Sequence, residues 1–135
     1  MDYFIEWDNT LETGITIIDI QHRTLFKKIN KIYECIIDKN FENISSLLDE
    51  ILTLSIHHFE TEETFFFVFN YQNKEEHIAE HKEFLKYLEQ IRNEDIHLID
   101  FNQNLFNYLH KWIINHIKDY DFKYVESLKP LIDKG

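Results

Sequence analysis

Residues 43–69 read NISSLLDEILTLSIHHFETEETFFFVF, and the spacing of their apolar positions decides the fold class. From Leu48, the residues Ile51, Ser55, His58, Glu62, Phe66 and Phe69 follow at steps of three or four, with Leu47 beside them. That is the period of one helix face rather than the alternation of a strand, and it predicts a helix over 43–69. The same stripe carries an imidazole and a carboxylate where a core-facing helix should be apolar. Burying either without a partner costs several kcal/mol, so the two polar residues need a reason.

The rest of the chain repeats this pattern. Ile18, His22, Leu25, Phe26, Ile29, Tyr33 and Ile36 share a face and predict a helix over about 19–38, with Asp19 in its first turn. His77, His81, Phe84, Leu88 and Ile91 predict a third over 74–92. Phe101, Leu105, Leu109, Trp112, Ile113 and His116 predict a fourth over 98–119, followed by a short C-terminal tail helix. Residues 1–18 read as an irregular arm. The connections near 39–42, 70–74 and 93–97 are short and polar, which makes successive helices antiparallel neighbours. The expected architecture is all-α: an up-down-up-down four-helix bundle in one domain over residues 1–135.

Composition agrees. The 135 residues contain 2 Gly and 1 Pro, too few for the tight turns of a β-sandwich or for a glycine-rich phosphate loop. With 14 Lys+Arg against 25 Asp+Glu, the net charge of -11 repels phosphate backbones and anionic lipid, so neither nucleic acid nor membrane is an expected partner. The single cysteine, Cys35, allows no intrachain disulfide. The start, MDYFIEWD, lacks the basic flank and apolar run of a signal peptide, and no apolar run exceeds Phe65 to Phe69. A cytoplasmic, monomeric chain is the expectation.

There are 8 histidines. A lone histidine on an apolar face is usually a hydrogen-bonded core residue, but here every stripe carries one. His58 and Glu62 stand at i, i+4, as do His77 and His81, so each pair projects from one helix face. His22 and His116 each add a ring, and Asp121 follows. Asp121 lies five residues beyond His116, which on an ideal helix turns it about 140° away, so the helix is expected to bend or loosen there. Five imidazoles and two carboxylates are too many for one ion. Shared between two octahedral ions, with a solvent-derived bridge, they leave a single open position, and the donor types suit iron without excluding zinc or copper.

These residues resemble the hemerythrin family in its single-domain bacterial form. The likeness rests on Trp7, Gly14, Asp19-Ile20-Gln21-His22, His58-Phe59-Glu60-Thr61-Glu62, His77-Ile78-Ala79-Glu80-His81 and Trp112-Ile113-Ile114-Asn115-His116 with Asp121. It implies a non-haem di-iron centre, two Fe2+/Fe3+ ions joined by an oxo or hydroxo bridge. His77, His81 and His116 would hold one iron, His22 and His58 the other, and Glu62 and Asp121 would bridge them. It further implies reversible O2 binding at the two-histidine iron, within a dry pocket of Leu25, Phe59, Trp112, Ile113 and Ile117. Members often carry a methionine shortly after the glutamate and Tyr-Pro before the third histidine, where this chain has Phe66 and Tyr71-Gln72.

The expected role is non-enzymatic: oxygen carriage, storage or delivery. A sensor of O2, NO or iron built on the same site is the alternative, and it needs an output surface for which the bundle leaves little chain. Slow peroxidase or nitric-oxide-consuming activity is a third reading. The segment His77 to His81 also matches H-x-x-E-H, the inverted zinc-peptidase pattern with Glu80 as base, but that reading leaves His22, His58, Glu62 and Asp121 unused. A ferritin-like oxidase wants two Glu-x-x-His motifs, and only Glu94 to His97 qualifies. A metal-free interaction bundle would bury five unpaired imidazoles. His57, His97 and His110 are expected at the surface, the run Phe65 to Phe69 in the core, and Tyr124 beside a ligand carboxylate.

Overall fold

The computed structural model describes residues 7–92 and 99–134, with the side chains of 99–102 and 134 left undescribed; His97 and Glu94 fall outside the described residues, as does the side chain of Phe101. After a 3-10 turn at Asn9–Leu11 come α1 (Thr16–Ile37), α2 (Phe41–Val68), α3 (Lys74–Ile91) and α4 (Ile99–His116). A π turn at Ile117–Asp121 then leads into α5 (Phe122–Lys134).

Side-chain contacts set the directions. Gln21 meets His58 while Lys28, further along α1, meets Glu50, earlier on α2, so these two helices run antiparallel. Phe66 against His77 with Asp49 against Arg92 does the same for α2 and α3. Phe84 against Trp112 with Tyr87 against Tyr108 does so for α3 and α4. The result is the four-helix bundle.

Neither of the first two helix ends uses glycine. Lys39 (φ 56°) and Asn70 (φ 51°) take the left-handed conformation. Asn40 N–H then reaches Cys35 O at 2.9 Å and Tyr71 N–H reaches Phe66 O at 2.8 Å, satisfying carbonyls left free at the helix ends.

Helix ends differ from expectation by up to three residues: α2 spans Phe41–Val68 rather than 43–69, and α4 ends at His116 rather than 119, where the π turn takes over. α1 starts at Thr16 rather than 19, because the Asp19 carboxylate accepts from Thr13 N–H and Oγ1–H (2.8 Å each) and from Gly14 N–H (3.1 Å). Gly14 turns there at φ 83°, a conformation open to glycine at little cost. The tail helix is not a short appendage: α5 runs 13 residues directly on from the π turn and buries Tyr124 and Leu128.

Among the described residues the core has two apolar clusters. One contains Leu25, Phe59, Phe84, Ile113 and Ile117; the other contains Ile18, Phe66, Tyr71, Tyr124 and Leu128. Along α1, α2 and the π turn into α5 the donors fall between the two, His22 between Ile18 and Leu25, Glu62 between Phe59 and Phe66, Asp121 between Ile117 and Tyr124. They form a polar layer enclosed by hydrocarbon on both sides. The run Phe65 to Phe69 is not all core: Phe67 is 64% exposed and Val68 67%, since successive residues at the end of α2 point in directions about 100° apart around the helix.

Candidate metal centre

His22, His58, His77, His81 and His116 are between 1 and 3% exposed, and Glu62 and Asp121 are 0% exposed. α1 supplies one ring, α2 a ring and a carboxylate, α3 two rings and α4 one. Asp121 reaches the same layer because the π turn inserts one extra residue: Phe122 N–H bonds Ile117 O, five residues back. That insertion is the loosening which the i, i+5 spacing required.

Every ring turns Nε2 inward. His22 Nε2 lies 3.0 Å from Asp121 Oδ2, while His77 and His116 Nε2 lie 3.0 and 3.1 Å from Asp121 Oδ1. Glu62 Oε1 is 3.3 Å from His58 Nε2, 3.2 Å from His81 Nε2, and 3.9 and 4.0 Å from His77 and His116. The donor atoms form two overlapping groups, Glu62-His77-His81-His116 and His22-His58-Glu62-Asp121.

Close approach is not satisfaction. The Nε2 atoms of His22, His58 and His81, and both oxygens of Glu62 and of Asp121, are buried without an aligned hydrogen-bond partner. Native interiors rarely leave so many polar atoms unpaired, and a cluster of them points to an absent ion. Nitrogen and carboxylate oxygens converging from separate helices are the donors a pair of first-row transition-metal ions takes.

The field inside this layer is strong. Burial resists ionising Glu62 and Asp121, yet the surrounding imidazoles hold both below the usual carboxylate range. Burial likewise resists charging His116, but Asp121 and Glu62 override it and push that ring up to about 10. Burial resists charging His81 too, but the carboxylates of Glu62 and Glu63 beside its two nitrogens override it and raise that ring. At His58 burial wins over Glu62 and holds the ring down to about 3, so it stays neutral.

Sequence reasoning missed the residues behind the rings. Gln21 Oε1 lies 2.6 Å from His58 Nδ1, and its amide donates to Thr61 Oγ1 at 3.1 Å. Glu63 Oε2 lies 2.8 Å from His81 Nδ1. The available signal was a polar residue directly flanking a donor, Gln21 before His22 and Glu63 after Glu62. Tyr124 is fully buried, its hydroxyl lacks an aligned partner, and burial followed by Glu62 and Asp121 drives its pKa far up.

The expected pocket residues Leu25, Phe59, Ile113 and Ile117 share one buried cluster, and half-buried Trp112 packs against it. Phe59 stacks on His81 at 3.8 Å and Trp112 on His116 at 4.4 Å. Of the histidines set aside, His57 is exposed as expected. His110 is half-buried rather than fully exposed, 6.0 Å from Phe106, and burial lowers its pKa. Glu80, the base a peptidase would need, faces the outer nitrogen of His116 at 4.0 Å, away from the inward Nε2 atoms.

Comparison with known proteins follows the same lines. A family model described as the hemerythrin HHE cation binding domain matches residues 13–128. Hemerythrin of Phascolopsis gouldii is 34% identical over 118 residues, 87% of this chain and 88% of that protein. Bacteriohemerythrin of Clostridium acetobutylicum is 30% identical over 127 residues, 89% and 98% of the two chains. A crystal structure of wild-type hemerythrin, 25% identical, superposes with a TM-score of 0.81 over 90% of this chain and 95% of that one. With bundle, buried donor layer and family match in agreement, the chain belongs to the hemerythrin family.

Proposed function

We propose that this chain binds O2 reversibly at a non-haem di-iron centre, for oxygen carriage, storage or delivery. The observation that carries the reading is the buried layer of inward Nε2 and carboxylate atoms with nothing aligned to satisfy them. His77, His81 and His116 would hold one iron and His22 and His58 the other. Glu62 and Asp121 would bridge, since Asp121 already turns Oδ1 to one group and Oδ2 to the other. Iron there would supply two one-electron equivalents and an open coordination position for O2.

The chain's own residues do the rest. Gln21 and Glu63 accept from the outer ring N–H groups of His58 and His81, which leaves each Nε2 lone pair pointing inward. Phe59, stacked on His81, and Trp112, stacked on His116, keep water from that side, with Leu25, Ile113 and Ile117 behind them. A dry wall favours release of intact O2, because carrying reduced oxygen on to free hydrogen peroxide takes protons that water would deliver. No described helix is long and apolar enough to cross a membrane. We place the protein in the cytoplasm on its lone Cys35, which is buried and unbridged.

The test is anaerobic reconstitution with ferrous iron, then air, then removal of O2, recording metal content and visible absorption. Two irons per chain and a colour that appears and reverses are expected. Zinc retained in preference to iron, or bleaching that does not reverse, overturns the reading.

A further inference from the structure

The five imidazoles are not supported alike. Among the described residues, two have an aligned partner on the outer nitrogen: His58, facing the neutral amide oxygen of Gln21 at 2.6 Å, and His81, facing the carboxylate of Glu63 at 2.8 Å. The Nδ1 atoms of His22, His77 and His116 are buried with none, Glu80 standing off at 4.0 Å from the last.

The two partners differ in kind. Gln21 is locked in orientation, because its amide nitrogen donates to Thr61 Oγ1, whose hydroxyl in turn donates to His57 O at 3.1 Å. It can therefore only accept from His58 Nδ1–H, and it positions that ring without adding charge. Glu63 presents a carboxylate where Gln21 presents an amide, and a carboxylate makes the stronger hydrogen bond to a ring N–H. Negative charge behind a ring raises the basicity of its other nitrogen, which strengthens the bond that nitrogen makes to a cation. Extra charge is thus delivered to one of the two donor groups and withheld from the other.

We infer that Glu63 is a positioning residue that makes the His77-His81-His116 pocket the tighter of two unequal metal positions, so that divalent ions fill the chain in order, that pocket before the one bearing His22 and His58. The inference rests on the two-metal reading and goes beyond it. Replacing the neutral Gln21 with a carboxylate should move the second position toward the first.

Cobalt(II) added to the metal-free full-length chain under argon is the probe, followed by calorimetry, visible absorption and the paramagnetically shifted ring N–H proton signals. Two resolved equivalents are expected, the first shifting ring protons of three histidines and the second adding those of two. Glu63→Gln should weaken the first equivalent by roughly 10- to 100-fold and leave the second unchanged within error. Gln21→Glu should tighten the second and narrow the gap. Equal weakening of both equivalents by Glu63→Gln, or a first equivalent that shifts only two histidines, overturns the inference while leaving the two-metal reading standing. Failure of the unmodified chain to take up two ions defeats that reading and this one with it. Should Glu63→Gln not fold, the loading order of the unmodified chain and the Gln21→Glu gap still decide the matter.

Discussion

His77 Nε2 and His116 Nε2 face each other at 3.2 Å across the buried centre of the bundle. Two ring nitrogens at that separation can share one proton, or they can both turn lone pairs toward a cation. In the metal-free chain the proton is the available choice, and it belongs to His116, which Asp121 and Glu62 hold charged up to about pH 10.

Stability without metal should therefore depend on pH from both sides. A ring whose pKa is raised on folding contributes fully below its unfolded value near 6.5, and that contribution disappears as pH climbs from there through about 10. His58, held down to about 3, works the other way: its contribution is present above 6.5 and is lost as pH falls. The lowered carboxylates add to the acid limb. Urea midpoints measured with chelator present should peak between about pH 6 and 7. Metal loading at pH 7 should release protons, seen in calorimetry across buffers of different ionisation enthalpy. A metal-free midpoint that rises from pH 7 to 9 contradicts this account.

His58→Ala removes an inward nitrogen from the His22 group. Metal content should fall to one ion per chain or fewer. The loaded protein should then lose the stabilisation that binding contributes, about 2.7 kcal/mol where the ion stands at a hundred times its Kd. The metal-free protein should weaken as well, since a buried ring and its contact with Gln21 are deleted, so the share due to metal is read as the difference between the two losses. Unchanged stoichiometry in the variant would remove His58 from the donor set.

Deleting the exposed Lys118 tests the π turn. His116, Asp121, Tyr124 and Leu128 are spaced five, three and four apart; with one residue removed they fall at four, three and four, the spacing of an uninterrupted α-helix. The shortened chain should keep two ions and the packing of α5, and its metal-free form should be at least as stable as the parent. Loss of one ion would mean that the turn sets the depth of Asp121 as well as its phase.

Phe59→Ala deletes the ring stacked on His81. A buried Phe→Ala change costs roughly 3 to 5 kcal/mol, to be read from urea unfolding. In iron-loaded protein the reversible colour formed in air should also fade faster, since water then reaches the face that Phe59 covered. Phe59→Leu, which restores most of the volume, should recover both. A colour lifetime unaffected by Phe59→Ala argues that this face is not where water is kept out.

The helical faces and the donor candidates on them could be read from spacing, because residues three and four apart share a face whatever else the chain does. His58 with Glu62 and His77 with His81 needed nothing more. Boundaries were harder: α1 begins at Thr16 through a hydrogen-bonded knot of Thr13, Gly14 and Asp19, and no apolar period marks that knot. Phe67 and Val68 misled because composition cannot say which side of a helix is covered.

What no local spacing could reach was the pairing between helices. That Gln21 stands behind His58 and Glu63 behind His81 depends on how far each helix slides and rotates against its neighbour. The packing of Phe59, Phe66, Trp112 and Tyr124 around the layer sets that register. Donor types belong to single helices and are local, whereas the charge each donor feels is summed over residues distant in sequence and exists only once the bundle has closed.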